Sequence, residues 1–126
     1  MNNQGHILIV DDEPAVVYTL KCILEKVGYT VSEAGTGAQA AEQLQSANDI
    51  DVIICDLGLA GEQSGIEVLA KAADIRPGMG RVVLTGYASP ETVEELESNG
   101  NAVFFKPVEM GRLLPELQRI IERKAA

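Results

Sequence analysis

Five short apolar segments, each followed by a stretch with helical spacing, constrain the fold of this 126-residue chain more than any other feature. The segments are three to five residues long and rich in β-branched or aromatic residues, which is typical of strands. They occupy residues 7–10, 30–34, 52–55, 82–84 and 103–105. Three of them show no polar alternation, which predicts central strands covered on both faces, whereas the segment at 30–34 alternates and suits a sheet edge.

Apolar residues at helical spacing follow these segments. The first stripe runs from Val16 to Val27, and Gly28 after it is a typical helix stop. Stripes over 38–44, 66–73 and 113–121, and the N-cap and first-turn pair Ser89-Pro90, predict four more helices. Pro115 either kinks the last helix or marks its start. Strand and helix therefore alternate five times, which predicts one α/β domain over 1–126, with parallel strands, right-handed crossovers and helices on both faces.

The charge and the cysteines narrow the class of protein. Acidic residues number 19 against 10 Lys and Arg, giving a formal net charge of −9 that would repel nucleic acid. Cys22 and Cys55 lie inside apolar segments, which favours two buried free thiols over a disulfide framework. Neither a signal peptide nor an apolar run near the roughly 20 residues of a membrane span is evident. We therefore expect a cytoplasmic protein that contacts neither membrane nor nucleic acid directly.

Polar residues follow four of the five predicted strands. In chain order they are Asp11, Asp12 and Glu13 after the first strand, Asp56 after the third, Thr85 after the fourth and Lys106 after the fifth. Ligands of open α/β sheets bind at the carboxyl ends of the strands, so we expect these groups to converge on one crevice. Each signal alone has an ordinary structural explanation, such as acidic residues favoured by a helix N-terminus. Their joint placement favours a common site.

The chemistry of such a crevice is specific. Carboxylates a few ångströms apart repel strongly unless a cation lies among them. Oxygen ligands favour Mg²⁺ or a similar hard ion. A carboxylate beside that ion and a lysine suits phosphoryl transfer, in which the carboxylate is the nucleophile and the cations neutralise the transferring group.

Four motifs carry a family resemblance that covers essentially the whole chain. They are ILIVDDEP at 7–14, VIICDLGL at 52–59, VVLTGYA at 82–88 and FFKP at 104–107. The sequence resembles the receiver domain of two-component response regulators, of the chemotaxis-regulator type. The resemblance implies a flavodoxin-like doubly wound sheet of five parallel strands in the order 2-1-3-4-5. It also implies a phosphorylation-dependent signalling switch without turnover of a separate substrate.

The resemblance assigns roles to individual residues. Asp56 would accept the phosphoryl group from a sensor histidine kinase or a histidine phosphotransfer protein. Asp12 would ligate Mg²⁺ directly and Asp11 through water, with Asp56 and the backbone carbonyl of Gly58 as further ligands. Thr85 and Lys106 would bind the phosphoryl group.

Three positions depart from the family pattern. Ala60 stands where the family usually has Pro, four residues after the acceptor. Gly65, which opens the third helix, comes about one residue late. Val103 stands where Tyr or Phe is frequent, and Phe104 and Phe105 follow it.

The fourth helix, fifth strand and fifth helix form the expected partner-facing surface. Glutamates on the fourth helix would oppose arginines on the fifth across the two-fold axis of a homodimer. The charged residues are Glu91, Glu94, Glu95 and Glu97 against Arg112, Arg119 and Arg123.

Three alternatives stay open. A flavodoxin-like flavin carrier would need a phosphate-binding loop rich in Gly, Ser and Thr after the first strand, where this chain has acidic residues. An aspartyl-phosphate phosphatase would need a second acid two residues after the nucleophile, where this chain has Gly58. A receiver-shaped scaffold that is never phosphorylated would fit the same fold.

Overall fold

The computed structural model describes residues 4–47, 49–59 and 64–125. Ala60 therefore lies outside the described residues. Strands and helices alternate in these ranges as β1 (Gly5–Val10), α1 (Pro14–Val27), β2 (Tyr29–Ala34), α2 (Gly37–Ser46), β3 (Val52–Cys55), α3 (Gly65–Ile75), β4 (Gly80–Thr85), α4 (Pro90–Ser98), β5 (Ala102–Phe105) and α5 (Met110–Ala125). None of these helices combines the length and the apolar character needed to cross a bilayer.

The five strands form one parallel sheet in the order β2-β1-β3-β4-β5, as predicted. The alternating segment is β2, an edge strand, and the unbroken apolar segments of β1, β3 and β4 lie in the centre. The strand order reverses at β1, which pairs with β2 on one side and with β3 on the other. The crevice of a doubly wound sheet forms at such a reversal, so the carboxyl ends of β1 and β3 mark the expected ligand site.

Both faces of the sheet are covered, which explains why the central strands lack polar alternation. On the side of α2, α3 and α4, the described core contains Leu8 and Ile53, both fully buried. On the side of α1 and α5 it contains Ile7 and Ile54. Successive residues of one strand thus enter opposite cores, and the strand ends are held rigidly from both sides.

The helix ends follow the local sequence signals. Gly28 ends α1 with a left-handed φ of 116°, and the Ser89 side chain accepts a hydrogen bond from the Thr92 N–H at the start of α4. Helix α5 begins at Met110, so Pro115 lies inside it and does not mark its start. Pro115 is the sixth residue of α5, beyond the first four N–H groups that lack an intrahelical partner, so its ring removes one intrahelical hydrogen bond.

Candidate functional site

Three carboxylates meet at the crevice between β1 and β3. Asp11 directly follows β1 and Asp56 directly follows β3, and both are buried, at 4% and 7% exposure. Asp12 lies beside them and is exposed. One carboxylate oxygen from each residue lies within 4.8 Å of the other two. We call these three residues the acidic cluster.

The backbone of the sheet positions the two buried members. The Asp11 N–H donates to the Ala34 carbonyl at 3.1 Å, and the Asp56 N–H donates to the Val10 carbonyl at 2.9 Å, so each residue extends the parallel ladder by one step. The side chains then cap their own loops. Asp11 Oδ1 accepts the Glu13 N–H at 2.9 Å, and Asp56 Oδ1 accepts the Gly58 N–H at 3.1 Å. Both carboxylates are therefore held in fixed orientations.

Gly65 brings α3 against the loop that carries Asp56. Its N–H donates to the Leu57 carbonyl at 3.1 Å. A Cβ at Gly65 would lie 2.1 Å from the Asp56 carbonyl oxygen, so any side chain would push the helix away from the loop.

The Cys55 thiol lies directly before Asp56 in the chain. Burial raises the pKa of this thiol to about 12, and the charges of Asp56 and Asp11 act in the same direction. The thiol therefore stays neutral and inert.

Lys106 links the acidic cluster to a fourth carboxylate. Its ammonium lies 3.0 Å from Asp11 Oδ2, 3.2 Å from Asp56 Oδ2 and 2.9 Å from Glu13 Oε1. Burial opposes the charged form, but the hydrogen bonds to Glu13, Asp11 and Asp56 outweigh it and raise the pKa of Lys106. The residue is 18% exposed and stays protonated. The sequence places Glu13 among the polar residues expected at the crevice, but the family resemblance assigns it no role, and its contact with Lys106 is seen only in the structure.

The electrostatics of the crevice favour a further cation. Burial raises the pKa of Asp11, and the nearby charge of Asp56 acts in the same direction, against the hydrogen bonds from the Glu13 N–H and Lys106. Four carboxylates, those of the acidic cluster and Glu13, face one ammonium. Clustered carboxylate oxygens, with water available at the exposed Asp12, are the donor set that Mg²⁺ prefers. The residues present therefore fit a magnesium ion.

Thr85 and Gly58 are the remaining site residues expected from the sequence. The Thr85 carbonyl accepts the Lys106 N–H at 2.8 Å, which ties the ends of β4 and β5 together. The Thr85 hydroxyl, in contrast, donates to the backbone carbonyl of Tyr87 at 3.2 Å, so it is turned toward the loop after β4. Gly58 contributes its N–H to Asp56. The structure thus joins Asp11, Asp56 and Lys106 by direct contacts, and it links Thr85 to Lys106 through the backbone while the Thr85 hydroxyl bonds to the Tyr87 carbonyl.

The aromatic departure from the family pattern lies on β5. Val103 is partly buried and packs against the core on the α2, α3 and α4 side. Phe104 packs against the opposite core, and Phe105 is 47% exposed at the end of the strand, in register with Thr85. The exposed ring on this strand is therefore that of Phe105, directly before Lys106.

Comparison with known proteins matches this chain to a protein family. The family model described as "Response regulator receiver domain" matches residues 7–118, which include every site residue discussed above. The alginate biosynthesis transcriptional regulatory protein AlgB of Pseudomonas putida is 37% identical over 107 residues, which cover 84% of this chain and 23% of that protein. The transcriptional regulatory protein ZraR of Escherichia coli is 32% identical over 116 residues, or 91% of this chain and 26% of that protein.

A solved structure agrees with the fold. A CheY-like response regulator receiver domain protein from Methanospirillum hungatei superposes with a TM-score of 0.88 at 33% identity, and the match covers 96% of each chain. The chain spans about a quarter of the length of the two curated relatives.

Proposed function

The chain belongs to the response regulator receiver domain family, and we propose that it is a switch that accepts one phosphoryl group on Asp56 from a histidine kinase or histidine phosphotransfer protein. The observation that carries this proposal is the Asp56 carboxylate itself. It is buried at the carboxyl end of a central strand, among two other carboxylates and an ammonium. We further propose that the receiver domain extends over residues 1–126.

In the proposed transfer, an Asp56 carboxylate oxygen attacks the phosphorus of a phosphohistidine. A new oxygen–phosphorus bond forms as the phosphorus–nitrogen bond breaks, and the donor histidine leaves with that electron pair. Lys106 already lies 3.2 Å from Asp56 Oδ2, so its ammonium can pair with an oxygen of the arriving group. The Thr85 hydroxyl can do the same once it releases the Tyr87 carbonyl.

Asp11, Asp12, Asp56 and the carbonyl of Gly58 would hold Mg²⁺. When bound, the ion supplies positive charge that offsets the repulsion among the carboxylates and the charge of the transferring group. The side chains of Asp11 and Asp56 are already oriented for this by the N–H groups of Glu13 and Gly58.

The test is phosphoryl uptake from acetyl phosphate, followed by intact-mass measurement. We expect wild-type protein to gain one phosphoryl group with Mg²⁺ present and none with excess chelator, because the acidic cluster then repels the anionic donor. Equal uptake in both conditions would contradict the magnesium requirement. No uptake in either condition would favour the receiver-shaped scaffold that is never phosphorylated.

The setting of the domain is part of the proposal. Free thiols at Cys22 and Cys55 support a reducing, cytoplasmic compartment. The relatives named transcriptional regulators are much longer than this chain, and its net charge of −9 disfavours DNA contact by the domain itself. We propose that it signals through protein partners and turns over no separate substrate.

We propose the surface of α4, β5 and α5 as the partner-facing one, including the interface of a homodimer. The Phe105 ring is 47% exposed and lines a groove with Pro90 and Val93 of α4. The charged residues on the flanking helices are exposed; they are Glu91, Glu94, Glu95 and Glu97 on α4, and Arg112, Arg119 and Arg123 on α5. Glu94 and Glu97 of α4 also line the groove, and an apolar centre with a polar border is typical of protein interfaces.

We expect the phosphorylated protein to dimerise in light scattering, and Phe105→Glu to weaken the dimer about tenfold by placing a charge in the groove. The control is Tyr18→Glu, which changes an aromatic residue of α1 that is 71% exposed, and it should dimerise normally. A phosphorylated wild type that stays monomeric at high concentration would exclude the homodimer.

A further inference from the structure

We propose that Glu13 is a positioning residue for Lys106. Its carboxylate holds the Lys106 ammonium when a divalent cation occupies the acidic cluster. The inference rests on the proposed function, because it presumes that the acidic cluster binds Mg²⁺. It concerns a residue outside the set of metal ligands and phosphoryl contacts considered above.

Glu13 is engaged with the site through both its backbone and its side chain. Its N–H donates to Asp11 Oδ1 at 2.9 Å, and its Oε1 accepts from Lys106 Nζ at 2.9 Å. One residue thus fixes a buried carboxylate and the ammonium that contacts it. The side chain is 59% exposed, so the contact with Lys106 lies at the solvent edge of the crevice.

The Glu13 side chain does not serve the helix that it precedes. Glu13 is the N-cap of α1, with extended backbone angles, and the side chain makes no capping hydrogen bond. Short N-cap side chains such as that of Asp commonly accept from the first free N–H groups of the helix, whereas the longer Glu13 side chain does not. Here the carboxylate reaches across to the end of β5 instead, over 93 residues of sequence.

The Lys106 ammonium has three hydrogens and three carboxylate partners. Two of these partners, Asp11 and Asp56, belong to the acidic cluster, and a divalent cation would compete with the ammonium for the same carboxylates. An ammonium displaced from both without another anion nearby would stay close to the incoming cation and repel it. Glu13 lies outside the cluster and offers that anion, so it lowers the cost of admitting the cation.

This role predicts a loss of Mg²⁺ affinity when the contact is removed. We expect Glu13→Gln to raise the dissociation constant for Mg²⁺ about fivefold, measured by isothermal titration calorimetry at fixed ionic strength. Glu13→Asp keeps the charge but shortens the side chain, and Asp at an N-cap tends to turn toward the helix N–H groups. We expect Glu13→Asp to lose Mg²⁺ affinity to a similar extent, because it removes the contact with Lys106 although it keeps the negative charge.

Two controls separate the contact from simple charge. Glu33 borders the same side of the site as Asp11 and Asp12 but pairs with Lys21 at 3.3 Å. Glu33→Gln removes one exposed charge, and we expect it to change Mg²⁺ affinity by about twofold or less. In a Lys106→Met background, where there is no ammonium to receive, Glu13→Gln should likewise add about twofold or less.

The outcomes discriminate clearly. Weaker binding in both Glu13 variants, with small effects in both controls, supports the inference. Wild-type affinity in Glu13→Asp, or equal losses in Glu13→Gln and Glu33→Gln, overturns it by assigning the effect to charge. If wild type binds Mg²⁺ and is phosphorylated while Glu13→Gln matches it, this inference alone is wrong. If wild type binds no Mg²⁺, the inference is overturned together with the magnesium requirement of the proposed function, whereas phosphoryl uptake on Asp56 is tested separately with acetyl phosphate.

Discussion

Asp56→Asn is expected to take up no phosphoryl group from acetyl phosphate under conditions in which the wild type is phosphorylated. The amide that replaces the carboxylate has no anionic oxygen, so the nucleophile is lost while the shape of the side chain is kept. We expect uptake to fall at least about a hundredfold, at or below the detection of intact-mass measurement.

The surroundings of Asp56 allow this substitution to remove the nucleophile while the fold is kept. The Asn side-chain oxygen can still accept the Gly58 N–H, and one fewer negative charge crowds the acidic cluster. The variant should therefore fold, with an unfolding midpoint equal to or above that of the wild type. Asp74→Asn, which changes an exposed acid on α3, is the matched control and should be phosphorylated normally. Phosphorylation of Asp56→Asn at the wild-type rate would place the acceptor elsewhere.

The strands and helices were predictable because they depend on local pattern, whereas the strand order was predicted from the family resemblance. Segments such as 52–55 are apolar throughout, since the sheet is covered on both faces, and Gly28 and Ser89 mark helix ends through their own backbone and side-chain chemistry. The start of α5 was not predictable, because Pro115 is compatible with either the start of a helix or a position in its early turns. Only the packing of the preceding residues decides between them.

The sequence did not predict which side chains form hydrogen bonds or ion pairs with residues far away in the chain. The lysine was expected near the acidic cluster, but its third partner, Glu13, depends on how α1 leaves the sheet. His6 is a second example: its ring lies 3.0 Å from Asp49 Oδ1 and 2.7 Å from Ser32 Oγ, at the opposite end of β1. The hydroxyl of Thr85 is a third, since its bond to the Tyr87 carbonyl is set by the loop conformation after β4. Strand register and loop geometry determine these contacts, and neither produces a periodic pattern of apolar residues in the sequence.

Asp12→Asn is expected to weaken Mg²⁺ binding more than tenfold, because one anionic oxygen ligand of the proposed site becomes neutral. Asp12 is the exposed member of the acidic cluster, whereas Asp11 and Asp56 are buried. Asn has nearly the shape of Asp, so the substitution mainly changes the charge of the site. Titration calorimetry measures the effect, and Glu33→Gln serves as the control for loss of one nearby charge.

The same variant should reverse its rank in stability when Mg²⁺ is added. In chelator, Asp12→Asn should be at least as stable as the wild type, because two carboxylates repel where three did before. At a Mg²⁺ concentration 100 times the wild-type dissociation constant, binding adds about 2.7 kcal/mol to the free energy of unfolding of the wild type. A variant that binds tenfold more weakly gains only about 1.4 kcal/mol. Urea unfolding with and without Mg²⁺ measures both values, and equal gains in the two proteins would show that Asp12 is not a ligand.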